Sequence, residues 1–162
     1  MQKVNLFLPS QSYLKKIKAL FEYHSRKIIR LIPTANIEHI GATSVPGLLT
    51  KGDLDLQVSV SAQEFNQAVI VLSKEYSDHQ LENWTTSFAS FKVEEHCEIP
   101  VGIQLVIEYS ESDIFAKSRD LLIAQPEKIT EFNKLKQFYA DEGICSYMKH
   151  KAEFFEKLLA TL

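Results

Sequence analysis

The residues best suited to chemistry lie in one short stretch: His39-Ile40-Gly41-Ala42-Thr43-Ser44, then Asp53-Leu54-Asp55. Asp53 and Asp55 are two apart in what reads as a strand, so both side chains share a face with Cα atoms ~6.6 Å apart. Two carboxylates held on one face repel unless a cation lies between them. Mg²⁺, or Mn²⁺, meets that need through oxygen ligands and bridges readily to phosphate. A two-ion site, with ions roughly 3.5–4 Å apart, also suits such a pair. Taken alone, the pattern is equally that of two exposed acids at a strand end. The upstream turn changes the weighting. Gly41 ends an apolar strand, and Thr43 and Ser44 add two hydroxyls. Val45-Pro46-Gly47 reads as the start of a helical turn, whose free N–H groups can bind phosphate oxygens. Gly41 by itself marks only a tight turn. If the two short strands pair, as sequence neighbours usually do, cradle and carboxylates meet at one edge of a sheet. That combination suits a metal-bound nucleoside triphosphate. Lys51 lies between the two halves, as a cation for the triphosphate or as a solvated loop lysine.

Positioning these groups falls to the following elements. Ser10 or Ser12 caps a first helix that runs to about Leu31, with Tyr13, Ile17, Phe21 and Ile28 on its apolar stripe and Pro33 as its stop. Ile37 to Ile40 is a short strand. Leu54 to Val60 is a second, in which Leu54, Leu56, Val58 and Val60 alternate with Asp53, Asp55, Gln57 and Ser59. Ser61 and Glu64 form a capping box opening a helix to about Tyr76. The stretch from Gln80 to Ser90 has no clear period. Phe91-Lys92-Val93 and Ile103 to Ile107 read as an antiparallel hairpin with a long loop. Three helices follow: one near Ser110 through a capping box with Asp113, one at Pro126, and one after Ser146. The expected fold class is α+β (α/β mixed), a small mixed sheet with helices packed on it.

Composition is consistent with this. The chain has 162 residues, 45% hydrophobic and 24% charged, with a formal net charge of −3. That is a globular balance for a single domain spanning 1–162, able to bury roughly 70% of its unfolded surface. No basic bias points to nucleic acid. The expectation is no membrane partner and a cytoplasmic location, since neither a leader pattern nor a long apolar run is visible. Cys97 and Cys145 read as idle thiols, without metal-ligand spacing. His39 reads as a structural hydrogen-bonder rather than a metal ligand. His96 and Cys97 lack further ligands, and Trp84 reads as core or as a base-stacking ring.

The stretch from Ile37 to Val58 resembles the GrpB family, whose pattern is H-I-G-S-T-[SA]-V-P-G-L-x-x-K-P-x-x-D. His39 to Leu48, Lys51 and Asp55 match it. Arg119-Asp120, Pro126, Leu135-Lys136, and Tyr147, Lys151 and Phe154 fall in the family's order, so the resemblance covers most of the chain. The family in turn resembles the polymerase-β-like nucleotidyltransferases. The resemblance implies a nucleotidyltransferase-like fold with Asp53 and Asp55 as catalytic and metal-binding residues. It implies phosphate binding by Gly41, Thr43, Ser44 and Lys51, and it brings Arg119, Tyr147 and Lys151 toward the site. Tyr147 and Lys151 are four apart on one helix face. Arg119 and Asp120 also read as a structural ion pair.

Two departures bear on activity. Ala42 replaces a serine, and Gly52-Asp53 gives a fuller acid pair than the family pattern. A third carboxylate is expected on a later strand, where the polar residue is Gln104. Glu108 shares its face at the strand end, and Glu94 or Glu95 lies on the partner strand. The implied function is a Mg²⁺-dependent nucleotidyltransferase acting on a nucleoside triphosphate and an unknown acceptor. The alternatives are a catalytically degenerate nucleotide-binding or partner-binding module, and an RNA-associated protein.

Overall fold

A computed structural model describes residues 4–94 and 97–162. The order is α1 (Gln11–Leu31), β1 (Asn36–Ile40), a short turn of 3-10 helix (Ala42–Ser44), β2 (Leu54–Val60) and α2 (Phe65–Glu75). Then come β3 (Ser77–His79), β4 (Phe88–Lys92), β5 (Val101–Ile107), α3 (Phe115–Ala124), α4 (Pro126–Tyr139) and α5 (Ile144–Leu159). This is the mixed α+β architecture expected. The five strands form one sheet in the order β1-β2-β5-β4-β3. β2 and β5 run parallel and every other neighbour pair is antiparallel.

Alternation in the central strand divides the sheet into two unlike faces. Leu54, Leu56, Val58 and Val60 join Val101, Ile103 and Leu105 in a buried layer against α1 and α2. Asp55 and Gln57 point the other way, in register with Gly102 and Gln104 on β5. α3, α4 and α5 gather beside that polar face around a smaller cluster: Val45, Leu48, Leu122, Phe132, Phe154 and Leu158. Two of its six members, Val45 and Leu48, come from the loop after Gly41. The C-terminal helices are thereby docked on the turn itself.

Several local expectations shift. Ser10 caps α1 by accepting from the Tyr13 N–H. The helical turn sits at Ala42–Ser44, three residues earlier than read, and Val45 is already extended. The short edge strand β3 escaped the sequence pattern. α3 starts at Phe115 rather than near Ser110, because the Asp113 carboxylate is taken up elsewhere. It accepts from the Tyr109 N–H (2.9 Å) and from the Gln57 amide (3.0 Å), so no capping box closes on Ser110. Gln57 also accepts from the Ala116 N–H, which ties the first turn of α3 to β2. α5 opens after Gly143, not Ser146. Among the described residues, no helix is long and apolar enough to cross a membrane.

Candidate functional site

β1 pairs with β2 so that Ile40 lies opposite Asp55, and the chain turns at Gly41 directly over the carboxylate. Gly41 has φ +76°, a conformation open to glycine at little cost. Space excludes a side chain as well. A Cβ on Gly41 would lie 2.6 Å from Asp55 Oδ2, and one on Gly102 would lie 2.8 Å from Asp55 Oδ1. Asp55 therefore has a carboxylate-sized seat with a glycine on each side. The Gln104 amide borders it, its Nε2 falling 3.6 Å from that Gly102 Cβ position. Burial and the neighbouring Asp53 charge push the Asp55 carboxyl up to about 6. Asp53 is more open and pairs with Lys51 at 3.3 Å.

The turn is held by hydroxyls. Thr43 is buried, and its Oγ1 donates to the Asp53 carbonyl at 2.9 Å. That hydroxyl has one proton, so at its 2.9 Å contact with His39 Nε2 the imidazole is the donor. Burial and the Arg119 guanidinium hold His39 down at about 4, which leaves it neutral with its proton on Nε2. His39 is thus a structural hydrogen-bonder, and Thr43 a brace between the turn and Asp53 rather than a hydroxyl open to phosphate. Ser44 donates to the Gly41 carbonyl at 2.5 Å and is half-buried at the surface of the turn.

Two further lysines lie within electrostatic reach of the carboxylates. Lys151 on α5 interacts electrostatically with Asp55, Lys51 and Asp53, and burial lowers its ammonium. Lys136 lies on α4, and in the sequence it stands out only by its place in the family order. It is only 7% exposed, and its Nζ donates to the Leu49 carbonyl at 2.7 Å above the Phe132 ring. Burial, then the charges of Lys151 and Lys51, bring it down to about 7. One turn earlier, Asn133 donates to the Gly47 carbonyl and accepts from the Leu49 N–H. The signal in sequence was the i, i+3 spacing of Asn133 and Lys136, which puts both on one helix face.

Other candidates stand apart from the pair. Because β2 and β5 are parallel, the C-terminal end of β5 lies far from Asp53. Glu108, six residues beyond Gly102, is ~20 Å from the Asp55 register position. It shares the right face at the wrong end of the sheet and is no third ligand. The Glu94 carboxylate bonds to Ser77 on the outer strand, three strands across the sheet from β2, which lowers its pKa. Glu95 and His96 fall outside the described residues. Gln104 lies two residues beyond Gly102 on β5, in register with Gln57. Arg119 does not face the cleft: its nitrogens donate to the His39 carbonyl, Glu38 and Asp120, and it braces β1. Tyr147 is half-buried on α5, one turn before Lys151, with burial pushing its phenol up to about 12. Trp84 packs on Phe91 and donates to the His79 carbonyl, so its ring belongs to the core layer.

Comparison with known proteins bears on the fold and the family. The family model of the GrpB protein matches residues 11–161. A UPF0157 protein of Vibrio cholerae serotype O1 is 31% identical over 153 residues, covering 94% of this chain and 81% of that protein. The crystal structure of the conserved protein GrpB from Enterococcus faecalis superposes with a TM-score of 0.74 at 18% identity, over 97% of this chain and 98% of that one. Cid1 in complex with its short product ApU matches with a TM-score of 0.54 at 15% identity, over 78% of this chain and 39% of that one. A structure of the Cid1 poly(U) polymerase with MgGTP bound gives 0.51 at 13% identity, over 80% of this chain and 45% of that one. Identities this low speak for the fold, which is nucleotidyltransferase-like. With the family model and the Vibrio cholerae relative each covering nearly the whole chain, this protein belongs to the GrpB family.

Proposed function

We propose that the cleft over Asp53 and Asp55 binds a nucleoside triphosphate with Mg²⁺ (or Mn²⁺) and supports transfer of its nucleotidyl group to an acceptor. The observation that carries this reading is the seat of Asp55. Its carboxylate is held between two glycines, beside a second carboxylate, with its pKa raised to about 6. A divalent cation relieves such a clash of charges. The donor set fits Mg²⁺, which commonly takes one or two protein carboxylates and completes its shell with phosphate and water. No cluster of three acidic, histidine or cysteine ligands exists among the described residues, so Asp53 and Asp55 would hold the ion, with Gln104 alongside. When bound, the ion supplies neutralisation of phosphate charge.

The remaining work is the chain's own. Gly41 permits close approach of phosphate to the turn, and Ser44 offers a hydroxyl there. Lys51 and Lys151 add positive charge, and Thr43 with His39 keeps Asp53 in place. Catalysis by such a site is positioning and electrostatics. The Cid1 poly(U) polymerase, solved with MgGTP, has the same fold, which supports the choice of ligand class.

Gln104 favours a second reading, in which the cleft binds nucleotide without turnover. An amide neither takes a proton at neutral pH nor matches a carboxylate as a metal ligand. Titration calorimetry with ATP, GTP, CTP and UTP tests the first step. The expected result is a magnesium-dependent gain in affinity that Asp53→Asn with Asp55→Asn removes. Absence of any such gain with all four nucleotides overturns the proposal. Pyrophosphate release above the double-variant blank separates transfer from binding alone.

A further inference from the structure

We propose that Tyr13 is a positioning residue for the metal site: its hydroxyl, with the ring packed against Phe7, fixes the backbone that carries Asp53. The inference rests on the reading of Asp53 as a ligand of the ion.

Asp53 stands one residue ahead of β2, outside the strand ladder that fixes Asp55. A carboxylate in that position serves as a ligand only if its Cα–Cβ bond is aimed. The aim is set by the two rigid peptide planes that meet at its Cα. Both planes are held here by segments distant in sequence. In the plane that follows, the Asp53 carbonyl accepts from Thr43 Oγ1 at 2.9 Å, and the Leu54 N–H donates to the Pro100 carbonyl at 2.9 Å. In the plane that precedes, the Gly52 carbonyl accepts from the Tyr13 hydroxyl at 2.6 Å. One plane earlier still, the Gly52 N–H donates to Thr50 Oγ1 at 2.9 Å. With the planes on either side pinned, φ and ψ of Asp53 are set together.

Tyr13 is itself held in place. The segment ahead of α1 runs antiparallel to the loop at Phe7. The Phe7 N–H donates to the Thr50 carbonyl at 2.9 Å, and its carbonyl accepts from the Thr50 N–H at 3.0 Å. The Phe7 and Tyr13 rings meet edge to face, their centroids 5.4 Å apart. The space at Gly52 fits a residue with no side chain. A Cβ there would lie 2.5 Å from the Tyr13 hydroxyl and 3.2 Å from the Phe7 ring, and Gly52 has φ +103°. Glycine lets the phenol reach the carbonyl. Gly52 is buried, so its carbonyl depends on a protein donor. The Tyr13 proton is committed to that carbonyl, so Tyr13 acts through Asp53 and not on the ion. Groups that orient a metal ligand in this way are commonly worth about 10–100-fold in metal affinity.

The test is titration calorimetry of the full chain across a range of Mg²⁺, with the tightest-binding of ATP, GTP, CTP and UTP. Tyr13→Phe keeps the ring against Phe7 and removes only the donor. It is expected to raise the Mg²⁺ concentration giving half of the affinity gain by about tenfold, with nucleotide affinity in EDTA unchanged. Tyr23→Phe, at an exposed position on the same helix, leaves both unchanged. In the Asp53→Asn background, Tyr13→Phe changes the remaining magnesium dependence no further, as a residue acting through Asp53 requires. If Tyr13→Phe leaves the Mg²⁺ requirement where it was, the positioning role is overturned, whatever urea unfolding shows about stability. An equal shift with and without Asp53 overturns it as well. Absence of any magnesium-dependent gain in the unaltered chain overturns the reading of the cleft, and the positioning role with it.

Discussion

Gly41 and Gly47 both have positive φ, +76° and +83°, but their surroundings differ. Nothing lies within 4 Å of a Cβ built at Gly47, whereas at Gly41 it meets the Asp55 carboxylate. The two positions separate the cost of a backbone conformation from the cost of filling a site. Gly47→Ala is expected to lose about 1–2 kcal/mol of stability, the strain of a left-handed alanine, and to keep nucleotide affinity. Gly41→Ala adds a clash that displaces Asp55, so it is expected to lose more stability than Gly47→Ala and the magnesium-dependent binding as well. Urea unfolding and calorimetry on the pair check this. Equal behaviour of the two variants would show that the turn needs glycine only for its dihedral angle. Other residue identities in the site have equally local reasons. Thr43 bridges His39 and the Asp53 carbonyl, a role in which a hydroxyl is needed as donor and acceptor together.

Among the elements, α4 holds the loop after Gly41 while carrying none of the His39–Leu48 motif. Its Asn133 makes two hydrogen bonds to the backbone of the Gly47–Leu49 loop, one as donor and one as acceptor. An apolar residue in its place leaves a loop carbonyl and a loop N–H without those partners. Asn133→Leu is therefore expected to destabilise by about 1–3 kcal/mol. It is also expected to loosen the loop that fixes Lys136 and, through Val45 and Leu48, the docking of the C-terminal helices. Nucleotide affinity should fall with no change in the strand amides, as read by titration and by hydrogen exchange. Retained affinity with the same loss of stability would mean that the loop is held by its apolar contacts alone. The parallel pairing of β2 and β5 is the other decisive feature at this scale. It places Gly102 and Gln104 beside Asp55 and carries Glu108 to the opposite end of the sheet.

The stability of the whole molecule is expected to depend on pH through three groups largely withdrawn from water, His24 buried and His39 and Asp55 half-buried. His24 is buried against the Tyr76 hydroxyl at 2.9 Å, and burial lowers it to about 4. His39 is likewise held at about 4 by burial and by Arg119. Both are depressed below the ordinary 6.5. Between about pH 6.5 and 4 the unfolded chain binds protons that the folded chain does not, so stability falls as pH falls through that window. Asp55 acts in the opposite sense. It is raised from 3.8 to about 6, so the folded chain retains a proton that the unfolded chain has released, and its contribution is lost as pH rises. Two histidines against one carboxyl leave a net loss on acidification, on the order of 3 kcal/mol. Denaturant midpoints at pH 7, 5.5 and 4.5 should fall in that order. His24→Gln should flatten the series, and Asp55→Asn should steepen it. A midpoint that does not fall toward pH 4.5 would contradict the assignment of neutral, buried imidazoles.

Much of this protein follows from local pattern. The alternation of Leu54 to Val60 sets a strand with one apolar and one polar face, and Ser10 and Pro126 open helices through chemistry confined to a single turn. The pairing of Asp53 with Asp55 on one face needs only the two-residue period of a strand, and the Gly41 turn needs only its neighbours in the chain. These are short-range effects, so they are legible in order along the sequence. The rest depends on contacts between distant segments. Period alone placed Gln104 and Glu108 on one face but not the direction of β5 against β2, which decides that Gln104 borders Asp55 and Glu108 does not. Gly102 falls within the loop of the expected hairpin, and only the pairing of β5 with β2 sets it across from Asp55. Arg119 reads in sequence either toward phosphate or as the partner of Asp120; the ion pair with Asp120 forms, and only the packing of α3 beside β1 adds the His39 carbonyl and Glu38 to it. Lys136 is eighty-seven residues from its hydrogen-bond partner Leu49, and only the packing of α4 on the turn makes it part of the site.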